Sequence, residues 1–174
     1  GDFFQSPAAL IGWMDQNRID TSVVCPFVDT PGPDKNAHRR LYQACLRHPG
    51  RFIPFARIDP RYGGKAVQAL KTAREEWGMK GLLFNPLSTD TQPCHTGLLP
   101  LMEYAAENNL PVMVPAGQAY IALPEQIALL ASKLPTLKVI MGHMGSAAHA
   151  VRAISLLATT PNLYLETSIQ QSPY

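Results

Sequence analysis

His143 is the residue of this chain best suited by type and position to acid–base chemistry. It ends the apolar run "KVIMGHMGS" at residues 138–146, with Gly142 before it and Gly145 shortly after it. The glycines allow close backbone approach, and an imidazole held there could bind a metal ion or move a proton near neutral pH. The alternative is a histidine that fills a tight turn and bonds to a backbone carbonyl. The two glycines favour a functional role.

Other polar side chains follow short apolar runs, the positions at which the βα loops of a parallel sheet gather. Arg57 carries the guanidinium fork that clamps a carboxylate, although it could equally pair with Asp59 or another acid. Glu166 could be a general base or a metal ligand, and a carboxylate within an apolar run needs a partner. Asn85, which precedes Pro86, is favoured as a turn residue. Asn85 and Gln118 are also candidates for substrate binding.

The remaining histidines give weaker signals. Roles on a solvent-facing helix surface, at a helix cap or in a plain loop are favoured for His38, His48, His149 and His95. The three cysteines lack CxxC spacing and are odd in number, which argues against a disulfide framework or a zinc ribbon. No GxSxG, P-loop, HExxH or dinucleotide-binding pattern occurs, so serine-nucleophile, NTPase and nicotinamide chemistry lose their usual support.

The elements that must position these residues alternate between amphipathic segments and short apolar runs. After a first helix from Ser6 to about Asn17, six strands are predicted at residues 21–27, 51–59, 80–85, 110–117, 137–143 and 162–168. Five helices separate them, at residues 36–49, 64–78, 97–109, 123–135 and 145–160. The strands are nearly continuous apolar runs, which indicates a sheet covered on both faces. Such repeats build an open parallel α/β sheet or a (β/α)8 barrel.

The composition is that of one domain, predicted to span residues 1–174. The chain is 46% hydrophobic and 16% charged with a net charge of +2, and its basic residues form no block or stripe. Nucleic-acid binding therefore has little support. The N-terminus has no basic region before an apolar one, and no apolar run approaches the ~20 residues that span a bilayer. We expect a small-molecule substrate, a cytoplasmic location and no membrane partner, with a homo-oligomer left open.

Five stretches, taken in order, resemble the amidohydrolase-related family, whose members include metal-dependent hydrolases and aromatic or muconate-semialdehyde type decarboxylases. The stretches are "HPGRFIPFARIDP", "GMKGLLFNP", "LLPLMEYAAENNLPVMV", "LPTLKVIMGHMG" and "PNLYLETS". The likeness extends from about Ser6 to Ser168. It implies an α/β fold of the parallel (β/α)8 TIM-barrel type, incomplete here, with the first strand before Gly1 and the last after Tyr174.

The resemblance also implies a site with one divalent metal, often zinc, and an acid–base role for His143 in the "GHMG" turn. The family holds its metal with an HxH pair on the first strand, a histidine ending the fifth and an aspartate ending the eighth. Pro115 stands where the fifth-strand histidine is expected, and proline offers no ligand atom. His143 and Glu166 are then the candidate metal ligands. Because a catalytic zinc takes about three protein ligands, the site could bind metal weakly, recruit Gln118 or Glu166, or work without metal.

The implied activity is hydrolysis of a C–N or C–O bond, or non-oxidative decarboxylation, of a small carboxylated or cyclic substrate. The alternative is a degenerate, metal-free relative that binds a ligand or a partner without catalysis. The 174 residues alone are expected to show no turnover. They are also expected to self-associate, because a barrel lacking two strands has bare sheet edges.

Overall fold

The computed structural model describes residues 6–32, 34–117 and 119–169. Within these ranges, six strands form one sheet whose spatial order is the order along the chain, and every neighbouring pair is parallel. The strands are β1 (Ser22–Val24), β2 (Phe52–Arg57), β3 (Gly81–Leu83), β4 (Val112–Pro115), β5 (Val139–Gly142) and β6 (Leu163–Leu165). All six lie inside the predicted runs. The ladder of β1 ends early because Pro26 has no N–H to donate to it.

The helices follow the predicted order. They are α1 (Pro7–Gln16), α2 (Ala37–Arg47), α3 (Gly64–Trp77), α4 (Pro86–Thr89), α5 (Leu99–Glu107), α6 (Pro124–Lys133) and α7 (Ser146–Leu157). Ser6 Oγ caps α1 by accepting a hydrogen bond from Ala9 N at 3.2 Å, and Gly78 ends α3 in the left-handed conformation that glycine adopts most readily. Among the α-helices of the described residues, only the single turn of α4 goes beyond the prediction. No helix in the described ranges combines the length and apolarity that crossing a bilayer needs.

The two faces of the sheet differ in burial. Side chains such as Leu82 and Val112, paired in the β3–β4 ladder, are fully buried in the core that the strands share with the helices. Successive side chains of a strand point to opposite faces. The inner face, away from the helices, leaves Val23 46%, Ile53 40% and Tyr164 49% exposed. An apolar patch therefore lies open on the side of the sheet where a barrel would have its interior.

We expect the 174-residue chain to self-associate in solution. The exposed inner-face residues Val23 and Ile53 are apolar, and the outer edges of β1 and β6 pair with no strand in the described ranges. Size-exclusion chromatography with light scattering should show species larger than a monomer. The double variant Val23→Lys with Ile53→Lys should shift them towards monomer, whereas Val151→Lys, on the outside of α7, should not. A monodisperse monomer of the parent chain would contradict this expectation.

Candidate active site

His143 follows β5 directly and begins a turn with an unusual backbone. His143, Met144, Gly145 and Ser146 have φ angles of +58°, +49°, +77° and +61°. The left-handed region costs residues other than glycine about 1–2 kcal/mol each, and they normally visit it singly. Three such residues and a glycine in succession persist only where the surrounding structure holds them, and such strain clusters at functional sites. The turn that carries His143 is therefore maintained by its neighbours.

Glu166, just past the end of β6, supplies that support. Its carboxylate Oε2 accepts a hydrogen bond from His143 N at 3.1 Å, and its carbonyl oxygen accepts one from Met144 N at 2.8 Å. Its own N–H donates to Met141 O at 3.0 Å and continues the β5–β6 ladder. Glu166 thus connects the sheet to the first two residues of the left-handed turn.

The His143 side chain joins the same group of atoms. Its Nδ1 lies 3.0 Å from Ser168 Oγ and 3.7 Å from Glu166 Oε2. Ser168 in turn bonds to both oxygens of Glu166, through its backbone N–H to Oε1 and through its hydroxyl to Oε2 at 2.8 Å. Burial raises the pKa of the Glu166 carboxyl, but the hydrogen bonds from His143 N and Ser168 outweigh it and hold that pKa below its usual range. Glu166 is therefore an anion at neutral pH.

These residues line a cavity of about 640 Å³, within the size range of small-molecule sites. Most of its wall is apolar and comes from the strands and the residues that follow them. The lining includes Cys25, Phe55, Leu83, Pro115, His143 and Glu166. A second cavity, of about 690 Å³, is lined by Arg61, His95 and Tyr120 and includes neither His143 nor Glu166. We assign the site to the smaller cavity because the acid–base group lies there.

Pro115 sits beside His143 at this cavity. It pairs with Gly142 in the β4–β5 ladder, and a Cβ added at Gly142 would come within 3.2 Å of the Pro115 Cα. In the described part of the chain, no group of three or more His, Cys, Asp or Glu side chains could hold a metal ion. The Glu166 oxygens are also occupied by hydrogen bonds from His143 and Ser168. The described residues therefore do not by themselves fit the divalent metal that the resemblance implies.

Arg57 ends β2 and is engaged by an acid. Its Nε and Nη2 donate to the two oxygens of Asp29, at 2.9 and 3.3 Å, and both side chains are largely buried. Asp59 pairs with Arg61 instead. Arg57 thus pairs with an acid, as one of the two alternatives from the sequence predicts. Binding of a substrate carboxylate by Arg57 remains a prediction, and it would use the same guanidinium N–H groups that now bind Asp29.

Asn85 and Gln118, the other two substrate-binding candidates, are placed differently. The Asn85 Oδ1 accepts a hydrogen bond from Leu87 N at 3.1 Å and caps α4. This is the turn role that its position before Pro86 suggests. Gln118 lies outside the described residues. Contact of either side chain with a substrate remains a prediction.

His38 is a residue whose role the sequence interpretation missed. A solvent-facing or capping role was favoured for it, but only 7% of the residue is exposed, and its Nε2 accepts a hydrogen bond from Arg57 N at 3.1 Å. His38 therefore supports the end of β2 from α2. The signal was present, since Leu41 and Cys45, three and seven residues later, mark the apolar face of the same helix.

The stability of the protein should fall in mild acid because of His38. Burial lowers the pKa of His38 from 6.5 to about 4, so the unfolded chain binds more protons than the folded one between these pH values. This contribution to the free energy of unfolding, on the order of 3 kcal/mol, is present above about pH 6.5 and is lost as the pH falls towards 4. Urea unfolding across this pH range should show the slope in the parent and a flatter profile in His38→Gln. Parallel profiles would contradict the assignment.

Solved structures of other proteins share this fold. The chain superimposes with a TM-score of 0.76 and 20% identity on an uncharacterized TIM-barrel protein from Bordetella bronchiseptica, covering 93% of this chain and 59% of that one. A probable 2-pyrone-4,6-dicarboxylic acid hydrolase from Acinetobacter baumannii gives 0.69 at 15% identity, with 97% and 62% covered. A 5-carboxyvanillate decarboxylase from Novosphingobium aromaticivorans, complexed with manganese and 4-hydroxy-3-methoxy-5-nitrobenzoic acid, gives 0.66 at 19%, with 86% and 52% covered. The predicted fold class, an incomplete parallel (β/α)8 barrel, is confirmed.

The chain spans 59% and 62% of the length of the first two of these structures. Among curated proteins, no sequence matches it. The profile of one family does, and its match extends over residues 16–173, nearly the whole chain. This chain belongs to the amidohydrolase family.

Proposed function

We propose that this chain carries the acid–base group of an enzyme that acts on a small carboxylated or cyclic substrate. The reaction is hydrolysis of a C–N or C–O bond, or non-oxidative decarboxylation. The observation that carries the proposal is His143, which is held by Glu166 and Ser168 and lines a largely apolar cavity of about 640 Å³. The names of two structural relatives, a pyrone dicarboxylic acid hydrolase and a carboxyvanillate decarboxylase, describe carboxylated ring compounds.

The imidazole of His143 can serve either reaction. In hydrolysis it takes a proton from water as the water oxygen attacks the substrate carbonyl, and it returns that proton to the leaving nitrogen or oxygen. In decarboxylation the imidazolium gives its proton to the ring carbon, and the carbon–carbon bond to the carboxylate breaks with release of carbon dioxide. The anionic Glu166 lies 3.7 Å from Nδ1, next to the ring that carries the proton in both sequences.

A divalent metal, with zinc as the prediction from sequence, would supply Lewis acidity and an activated water in such a site. The described residues do not form a complete site for it, since Pro115 provides no ligand atom and Glu166 is engaged by hydrogen bonds. We therefore assign no step of the reaction to a metal. The roles of His143 and Glu166 as metal ligands stay predictions.

The Pro115→His variant is expected to raise the metal content of the protein. An imidazole at position 115, beside Gly142 in the ladder and at the same cavity as His143, adds a ligand atom where proline has none, and a catalytic zinc takes about three protein ligands. Metal analysis should be run on the longest native open reading frame that contains this chain, after equilibration with zinc. We expect bound zinc to rise towards about one per chain. The matched control Pro115→Leu should leave it unchanged, and an equal rise in both variants would contradict the ligand argument.

The second candidate function is binding of a ligand without catalysis, and Pro115 is the observation that favours it. The two candidates separate in one experiment on the longest native open reading frame. Aromatic carboxylates are assayed for release of carbon dioxide and cyclic esters and amides for ring opening, while calorimetry follows binding. Turnover that depends on His143 supports the enzyme. Binding of a compound that is not turned over, with or without added zinc, supports the binding protein.

A further inference from the structure

We propose that Ser168 and Glu166 hold His143 in one tautomer, with the proton on Nδ1 and the lone pair on Nε2. This inference rests on the proposed function in one respect: in the proposed reaction, Nε2 is the atom that accepts the proton. It makes Ser168 a positioning residue, which acts through His143 rather than on a substrate. Ser168 Oγ is 3.0 Å from His143 Nδ1 and 2.8 Å from Glu166 Oε2, so it lies between the two charged or chargeable groups.

The argument depends on where each proton goes. An ionised carboxylate only accepts hydrogen bonds, and a serine hydroxyl has one proton to donate. The short contact from Ser168 Oγ to Glu166 Oε2 uses that proton, because a charged acceptor binds it more strongly than a neutral ring nitrogen does. Ser168 Oγ then has only lone pairs to offer to His143 Nδ1. The Nδ1 atom must therefore carry the hydrogen of that contact.

The position of Glu166 agrees with the same tautomer, although its carboxylate is too far from Nδ1 to fix it without Ser168. Its Oε2 lies 3.7 Å from His143 Nδ1, a distance at which an unprotonated Nδ1 would set a lone pair against an anion. The backbone contributes as well, since His143 N donates to the same oxygen at 3.1 Å. One carboxylate oxygen thus fixes the turn directly and the ring of His143 through Ser168.

Ser168 and Glu166 can be separated experimentally because they support different parts of His143. The Glu166 carboxylate holds the left-handed turn through the N–H group of His143, so substitution of Glu166 would disturb the backbone. The Ser168 hydroxyl contacts the His143 ring and makes no bond to the backbone of the turn in the described residues, and Ser168 is exposed. Ser168→Ala removes the hydroxyl without a core contact, and Ser168→Thr keeps a hydroxyl at the same place. These two variants form the matched pair for the test.

The test is a two-bond ¹H–¹⁵N correlation spectrum of histidine-labelled protein, made from the longest native open reading frame that contains this chain. It is recorded at about pH 8.5, roughly two units above the ordinary histidine pKa. His143→Asn identifies the signals of His143. We expect Nδ1 to show the protonated pattern in the parent and in Ser168→Thr, and a shift towards the Nε2-protonated form in Ser168→Ala. An Nε2-protonated parent, or an unchanged Ser168→Ala spectrum, would overturn the inference.

Turnover gives a second, separate readout. Where a substrate is found, Ser168→Ala should lower kcat about tenfold with little change in KM, because one hydrogen bond to a charged group is lost. Ser168→Thr should restore kcat. The spectrum needs no substrate, so the two ideas fail separately. An Nδ1-protonated ring in a protein without turnover would sink the proposed function and support the inference. Turnover with an Nε2-protonated ring would do the reverse.

Discussion

The His143→Asn variant of the longest native open reading frame should lose about 100- to 10,000-fold in kcat, the range that a positioned acid–base group contributes. Asparagine removes the titratable ring but accepts the left-handed backbone, which matters because His143 has a φ of +58°. The turn and the fold should therefore survive the change. Substrate binding, followed by calorimetry, should change little, since the loss falls on the chemical step.

The matched control for this experiment is His95→Asn. His95 lies in a loop at the other large cavity, where its Nδ1 accepts a hydrogen bond from Gly97 N. Its substitution should leave kcat close to that of the parent. If His143→Asn kept full activity, or if both variants lost activity equally, the assignment of acid–base chemistry to the smaller cavity would be wrong.

The Gly117→Ala variant should be the most destabilising small change near the site. Gly117 has a φ of +75°, and a Cβ there would lie 2.4 Å from both Gly145 O and Ser146 Oγ in the left-handed turn. The positive φ costs alanine about 1–2 kcal/mol, and overpacking against the turn adds roughly 1–3 kcal/mol. We expect the free energy of unfolding to fall by about 2–5 kcal/mol in all.

The Gly50→Ala variant separates the conformational cost of a positive φ from the cost of overpacking. Gly50 has a φ of +78° but no heavy atom within 4 Å of its added Cβ, so only the conformational cost applies. Its free energy of unfolding should fall by about 1–2 kcal/mol. Urea titrations followed by tryptophan fluorescence measure both variants against the parent. Equal losses at the two positions would show that the end of β4 is not packed against the turn as the structure has it.

The order and type of the elements were predictable from the sequence because their signals are local. The Ser6-Pro7 start of α1 and the Gly78 end of α3 depend on the conformational preferences of single residues. The strands were predictable because they are short apolar runs, which is typical of strands that helices cover on a sheet. The strand end at His143 followed from the same pattern, and the structure begins its turn at that residue.

The sequence predicted which residues belong to the candidate site, but not how they contact one another. His143 and Glu166 were both recognised, but their contact joins residues 23 positions apart and exists because β5 and β6 are neighbours. The left-handed turn could not be predicted either, since a run of four positive φ angles through His143, Met144 and Ser146 contradicts their intrinsic preferences. Ser168, two residues after Glu166, has no local sequence signal that marks it as a partner of His143.

By itself, then, the sequence determined the alternation of strands and helices, the parallel sheet and the histidine most suited to chemistry, because periodicity and capping act over a few residues. Only the tertiary structure decided the partners: Asp29 for Arg57, and Glu166 with Ser168 for His143. Such pairings depend on which strands are adjacent and on their register, and a slip of one residue would turn each side chain to the opposite face of the sheet.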